Sequence, residues 1–465
     1  MRTLTLQEVA AAMGGRIHGQ ITLPTVTGVS TDSREPVEGS LFFAIIGEQF
    51  DGHAYVNDIL ERGAVAAVVS DLAKINARYH DGGRLIQVAD SVEALGKLAQ
   101  WYRKQFAASV IGVVGSNGKT TTKDMIAAVL GSKKRGRAAP ASFNNAIGVP
   151  LTLLSVEPPD EFVVVEIGTN HHGEILALGR IAQPDMAVVT SIGEEHLESF
   201  GNVRSVALEE FSLIATMRGR AFIAMHEETE RFVPNAVIRE CATLTYGLED
   251  GAELRATDLV ADHDGQRFKV NGRFAYRIGL LGAHNVMNAL AAVAIGTRFR
   301  LSHDEIAAAL LDVQSPPMRM ERSHLGNITL VNDAYNANPS SMRVAFDVMD
   351  HLPPTAGKAT AGRKVFILGD MWELGDAAER CHQEVGREAG RSTAHVIIAV
   401  GTHARAVADG ATATAGTNKR IYSFPHIEAL TEKIGGLIKP GDAVLLKASR
   451  AVRLEQLVDR LRRKA

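Results

Sequence analysis

The sequence predicts an α/β protein of three domains built on parallel sheets. Length is the first reason: 465 residues exceed what one hydrophobic core fills, and the size prior is about three domains. Short β-rich apolar runs alternate with helical patterns through much of the chain, the signature of parallel sheets crossed by helices. Finally, the glycine-rich segment GVVGSNGKTTTKDM (112–125) falls between such a run and a helix, where α/β proteins hold anions.

Residues 1–106 form the first predicted unit. MRTLTLQEVAAAMGG reads as a short amphipathic helix, with strands at 41–46, 66–70 and 85–89 and a helix over 91–106. The second unit, 107–316, opens with the strand SVIGVV (109–114), the glycine loop and a helix to about residue 131. Further strands follow at 161–168 and 186–193. QSPP (314–317) then stops a helix and stiffens a linker. The third unit, 317–465, has strands at 328–333, 364–370, 395–401 and 442–449 in a doubly wound, Rossmann-like pattern. Gly/Ala/Thr-rich stretches at 353–362 and 411–418 read as exposed loops.

A formal charge of −3 excludes a protein that coats nucleic acid. The two cysteines, Cys241 and Cys381, cannot form a disulfide framework, which fits a reducing compartment. The N-terminus lacks a signal-peptide pattern, and no apolar run is long enough to span a membrane. The expected location is the cytoplasm.

A glycine turn between strand and helix presents backbone N–H groups and a positive helix end to phosphate. Lys119 adds charge near the β- and γ-phosphates, and Thr120 can hold Mg²⁺. An ordinary turn with an exposed lysine is the plainer alternative. A Walker loop would also need glycine at position 113, where this chain has Val113. Beyond the loop, Glu166 ends the strand EFVVVE and His196 follows MAVVTSI, so both belong at the strand ends that face ligands. Mg²⁺ prefers oxygen ligands, and on these grounds alone His196 is equally a loop histidine.

Gly115, Ser116, Asn117, Gly118, Lys119 and Thr120 match G-x-x-G-[ST]-N-G-K-[ST], which resembles the loop of the Mur ligase superfamily, ATP-dependent amide-forming enzymes of cell-wall precursor synthesis. The resemblance implies that these residues and Thr121 bind ATP, and that Glu166 and His196 (in HLESFG) hold a second Mg²⁺ beside the one at Thr120. It implies that Asn285 and Asn288 in GAHNVMNALAA lie against adenine, that Arg319 reaches the ATP phosphates, and that Asp333 meets the ribose. The family usually places a carbamylated lysine at the position that ungapped counting assigns to Glu210. No lysine occurs between Lys134 and Lys269. Glu210 is therefore expected to replace the carbamate with a permanent anion; the alternative is that Glu209 and Glu210 are solvated helix charges.

GVSTDSRE and FFAIIGEQFDGHAYV resemble the family's N-terminal domain that holds the uridine-diphosphate end of the substrate. FNNAIGVPLTLL, DAYNANP, ILGDMWELGDAAERCH and LLKASRAVRLEQLV resemble the branch that adds D-Ala-D-Ala, although Ala448 and Leu454 depart from its usual glycine and methionine. The implied substrates are UDP-MurNAc-tripeptide and D-Ala-D-Ala, contacted by Ser33, Arg34, Asn144, Asn145, Tyr335, Asn336 and Asn338. The implied chemistry passes through an acyl phosphate, with Lys119, Glu166, His196, Glu210 and Arg319 as catalytic residues and a monomer as the expected state. The rivals are the ligase that adds the third peptide residue, a P-loop kinase or NTPase, and a non-catalytic muramyl-peptide binder.

Overall fold

The computed structural model describes residues 1–35, 38–219, 221–233, 241–262, 265–352 and 362–462. Its three large sheets follow one another along the chain. The first has five strands, in the order Arg16–Gly19, Gly82–Gln87, Ala66–Val69, Ser40–Phe43 and Gly28–Ser30, parallel except for the first pair. The N-terminal helix, Leu6–Met13, is fixed by a reciprocal capping box between Thr5 and Glu8 and buries Leu6, Val9, Ala10 and Met13.

The nine-stranded central sheet carries the glycine loop. Strand β1 (Ser109–Val114) lies between β2 (Phe162–Glu166) and β3 (Met186–Val189), all parallel. Buried on both faces, β1 and β2 read as unbroken apolar runs rather than alternating ones. Helix α1 (Lys119–Gly131) follows the loop, α2 (Val203–Phe211) follows β3, and α3 (Ala283–Arg298) packs against α1. Because the three strands are parallel, the loop, Glu166 and the segment holding His196 emerge at the same sheet edge.

The third sheet runs Glu321–Leu325, β4 (Ile328–Asp333), β5 (Ala443–Lys447), Lys364–Gly369, Val396–Val400 and Arg420–Phe424. It is parallel apart from its first hairpin. Asn338 caps α4 (Pro339–Asp350), accepting from Ser341 N at 2.7 Å.

The helix Ser91–Arg103 joins the first unit to the second through a shared core containing Leu95, Leu98, Ala99, Leu153 and Leu178. Tyr102 donates to the carbonyl of Val156 at 2.7 Å, and buried Arg103 pairs with Asp185 at 2.7 Å. This helix ends at Arg103, short of the residue 106 expected from the sequence.

Residues 411–414 are helical, not loop: they close the helix Ala404–Thr414, with Ala411 buried. The small residues there serve close helix packing: on the neighbouring helix a Cβ at Gly390 would lie 2.5 Å from the Ala411 carbonyl. Most of the other predicted loop, 353–361, lies outside the described residues. No strand is expected from the sequence between 194 and 327. There the chain adds five to the central sheet: Phe222–His226, Ala242–Gly247, Leu254–Asp262, Gly265–Val270 and Phe274–Ile278. In Leu254–Asp262 only Ala256 is buried, and the strand carries Arg255, Asp258 and Asp262, so its apolar signal is weak.

Candidate active site

A cavity of about 580 Å³ lies at the C-terminal ends of β1, β2 and β3, with the third domain as its other wall. The glycine loop takes its shape from two left-handed glycines, Gly115 (φ 123°) and Gly118 (φ 83°). Side chains there would also collide: a Cβ would lie 2.3 Å from Thr190 Oγ1 at the first and 2.5 Å from Asn288 Oδ1 at the second. Several loop N–H groups hold the loop itself. Gly115 N donates to Glu210 Oε2 (2.9 Å), Ser116 N to the Ser191 carbonyl (2.8 Å) and Asn117 N to Ser191 Oγ (2.9 Å). The first turn of α1, starting at Lys119, is what offers its N–H groups and positive end to an anion.

Lys119 is largely buried and donates to the Gly115 carbonyl. Burial alone would lower its pKa, but the carboxylates of Glu195, Glu210 and Glu166 outweigh it and hold the ammonium above its ordinary value. Its Nζ is 4.0 Å from Glu195 Oε2. Glu166, Glu195 and Glu210 each retain one buried carboxylate oxygen without a hydrogen-bond partner: Oε2, Oε1 and Oε1 respectively. Asn144 Nδ2 donates to the other oxygen of Glu166 at 2.9 Å.

Among the described residues, no three His, Cys, Asp or Glu side chains close on a point as a finished metal cage. Orphaned buried carboxylate oxygens are nevertheless the donors Mg²⁺ selects, and it commonly completes its shell with water and substrate phosphate. The Thr120 hydroxyl, 3.1 Å from Ser142 Oγ, lies at the loop beside them. The residues present fit a hard divalent cation.

Glu209 and Glu210 are both buried, so neither is a solvated helix charge. Glu209 instead holds the start of the neighbouring helix, accepting from Gly173 N (2.8 Å) and Ile175 N (2.9 Å). Glu210 faces the loop. Burial pushes its carboxyl well above the usual range, opposed by Lys119 and reinforced by Glu195. Burial and Glu195 outweigh even Lys119, so these residues by themselves favour the protonated acid, and the expected permanent anion needs a further cation beside it.

Asn285 and Asn288 are buried at the cavity edge and tie α3 to α1. Thr122 Oγ1 donates to Asn288 Oδ1 (3.0 Å), Asn288 Nδ2 to Asn285 Oδ1 (2.9 Å), and Asn285 Nδ2 to the Leu281 carbonyl (2.7 Å). Beside them His284 reaches the cavity with part of its ring, while its Nδ1 is shut off without a partner. Desolvation pushes its pKa down to about 4.

The third domain contributes Arg319. Its guanidinium donates to Ser142 Oγ at 3.1 Å and lies 4.0 Å from the centre of the Tyr335 ring. Met318 (φ 57°) and Met320 (φ 52°) bracket it in left-handed backbone, and Met320 N donates to Asp333 Oδ1 at 3.0 Å. Asp333 also pairs with Lys447 at 2.8 Å, and Lys447 Nζ donates to the Asn336 carbonyl at 2.6 Å. Across the domain boundary, Asn117 Nδ2 donates to Ser340 Oγ at 2.9 Å and Arg343 pairs with Glu194 at 3.1 Å. His196 Nδ1 lies 2.6 Å from Glu373 Oε2, an approach off the direction of an ideal ring N–H bond.

Of the predicted substrate residues, Asn144, Asn145, Tyr335, Asn336 and Asn338 line this cavity together with Ser116, Thr121 and the residues above. Ser33 and Arg34 do not. They lie on the first domain, where Arg34 pairs with Asp32 at 2.6 Å and the Ser33 carbonyl accepts from Arg62. Sequence reasoning gives no role to Glu195, Ser142, Lys447 or Glu373. Lys447 and Glu373 stand inside quoted motifs, and Glu195 adjoins His196, but only the fold shows which of these side chains turn inward.

A phosphate loop in one domain, an arginine from the next and a nest of buried carboxylates between them define a phosphate-loop enzyme whose site two domains share. Family models described as "Mur ligase family, catalytic domain", "Mur ligase middle domain" and "Mur ligase, glutamate ligase domain" match residues 25–103, 113–296 and 318–450. The UDP-N-acetylmuramoyl-tripeptide–D-alanyl-D-alanine ligase of Bacillus subtilis (strain 168) is 35% identical over 457 residues, covering 98% of this chain and 97% of its own. The enzyme of the same name from Escherichia coli (strain K12) is 31% identical over 480 residues, covering 98% of each. A crystal structure of MurF from Acinetobacter baumannii superposes with a TM-score of 0.87 at 29% identity over 100% of both chains. MurF ligase from Thermotoga maritima, in complex with ADP, gives 0.79 at 25% identity, covering 94% of this chain and 98% of that one. The chain belongs to the Mur ligase family.

Proposed function

We propose that this chain joins D-Ala-D-Ala to UDP-MurNAc-tripeptide at the expense of ATP, giving UDP-MurNAc-pentapeptide, ADP and phosphate. The observation that carries this reading is the shared cavity, which Lys119 of the phosphate loop and Arg319 of the third domain line together with buried Glu166 and Glu195, while Glu210 is buried behind the loop. Full-length similarity to ligases bearing that name supports the choice of substrates.

A carboxylate and an amine do not condense near neutral pH, because proton transfer between them comes first. The substrate's terminal carboxylate therefore attacks the γ-phosphorus of ATP, and ADP leaves. The amine of D-Ala-D-Ala attacks the resulting acyl phosphate, and the tetrahedral intermediate expels phosphate. Lys119 and Arg319 neutralise charge developing on the transferred phosphoryl group. The start of α1 and the clasp between Asn117, Asn338 and Ser340 hold the phosphate chain and the two domains in register. Thr120, Glu166 and His196 are the residues that would hold Mg²⁺, with Glu210 supplying negative charge beside them; bound there, Mg²⁺ supplies electrostatic stabilisation of phosphate oxygens. Asn285 and Asn288 at the cavity edge would face adenine, and Asp333 the ribose. Ser33 and Arg34 would meet the uridine-diphosphate end on the first domain. The proposed setting is the cytoplasm, with the chain acting as a monomer. Phosphate release with UDP-MurNAc-tripeptide, comparing D-Ala-D-Ala with single amino acids as acceptors, tests this reading.

A further inference from the structure

We propose that Glu373 of the third domain is a positioning residue for His196: its carboxylate selects which imidazole nitrogen carries the proton and turns the other toward the cavity. Both residues hold left-handed backbone, His196 at φ 46° and Glu373 at φ 63°. Non-glycine residues keep that conformation only where their surroundings impose it. Here two such residues, from different domains, meet side chain to side chain with Glu373 Oε2 2.6 Å from His196 Nδ1. The backbones meet as well. Glu198 N donates to the Glu373 carbonyl at 3.2 Å, and a Cβ on Gly375 would lie 3.3 Å from Glu198.

The 2.6 Å approach lies off the line of a ring N–H bond, so a small turn of the ring completes it; an anion against Nδ1 then draws the proton to that nitrogen and leaves Nε2 for the cavity. Nε2 lies on the side of Glu195, 3.9 Å from its Oε2, where His196 lines the cavity. The other titratable group facing Glu373 is His171, whose Nδ1 is 3.0 Å from Ser199 Oγ. A carboxylate behind a functional histidine commonly fixes its tautomer and ring orientation. What is particular here is its source: Glu373 arrives with the third domain, so His196 is oriented only while the segment around Glu373 is docked. The inference rests on the reading of His196 as an active-site residue.

The test uses full-length Glu373→Ala, Glu373→Gln, His196→Ala and the double variant Glu373→Ala/His196→Ala. Long-range ¹H–¹⁵N correlation on histidine-labelled protein, with a non-hydrolysable ATP analogue and UDP-MurNAc-tripeptide bound, reports the tautomer. Wild type is expected to show His196 protonated on Nδ1 alone, Glu373→Ala a mixture, and Glu373→Gln, whose amide oxygen can still accept, the wild-type pattern. Glu373→Ala should lower kcat by roughly 10-fold or more with KM for ATP unchanged, and the double variant should be no slower than His196→Ala. An unchanged tautomer in Glu373→Ala, or losses that add in the double variant, would overturn the proposal and leave Glu373 a docking contact. Full activity in His196→Ala would instead refute the active-site reading of His196, and the spectrum would still decide whether Glu373 sets its tautomer.

Discussion

Asn338 Nδ2 donates to Asn117 Oδ1 at 3.1 Å, joining the cap of the third domain's first helix to the phosphate loop of the central domain. The same asparagine caps its helix through Oδ1, so the loop and the incoming domain are tied at one residue. Arg319 and Tyr335 are carried to the cavity on that domain, which explains why the charges around the phosphate site come from segments 200 residues apart in sequence.

Arg319 is the first place to test this. Its fork reaches Ser142 and its face lies on Tyr335. Arg319→Ala should lower kcat by roughly 10²-fold while leaving the melting temperature close to wild type. Arg319→Lys should recover little, because an ammonium neither forks nor stacks. A fully active lysine variant would show that only charge is needed there.

Lys119→Met should reduce ATP-dependent phosphate release by roughly 10²- to 10³-fold. Circular dichroism should still show a folded chain, because the loop keeps its contacts to Glu210 and Ser191. Near-normal turnover would mean that the cavity is not where phosphate is transferred.

Much of this was legible in the sequence because it depends on local pattern. The strands Ser109–Val114 and Ile328–Asp333 are buried on both faces and stand out as apolar runs; both ends of each match the sequence reading. The loop glycines announce themselves because no other residue tolerates their backbone angles and neighbours. What stayed hidden depends on direction in space. Glu209 and Glu210 are adjacent letters, yet one caps a helix and the other meets the phosphate loop. Glu195 and Glu373 look like surface charges until the fold buries the first and brings the second against His196. The Ala-rich 411–414 segment misled because small residues signal both loops and close helix packing.

Glu210 predicts a bicarbonate-independent enzyme. Activity of the wild type should not change on adding or removing bicarbonate, since no lysine lies there to be carbamylated. Glu210→Gln keeps an acceptor for Gly115 N but removes the charge, whereas Glu210→Ala loses both. Turnover should therefore fall in both variants, and thermal stability should fall further in the alanine one. Stimulation by bicarbonate, or full activity in Glu210→Ala, would sink the replacement.

His284 predicts a pH-dependent stability. Its folded pKa is pushed down to about 4 from an ordinary 6.5, so the unfolded chain takes up a proton first as pH falls. The contribution is whole above the unfolded value, is lost progressively as pH falls toward the folded one, and is constant below that. Its size is at most about 3 kcal/mol, discounted for the part of the ring that reaches the cavity. Urea denaturation of wild type and His284→Gln should show the smaller loss between neutral and acidic pH in the variant. Equal losses would mean that other groups carry the acid sensitivity.

The most direct test of the whole account is acceptor-dependent phosphate release by the purified chain with ATP, Mg²⁺ and UDP-MurNAc-tripeptide. Phosphate and a pentapeptide product are expected with D-Ala-D-Ala, and neither with single amino acids. Phosphate release that ignores the acceptor, or that responds to a single amino acid and not to the dipeptide, would contradict it.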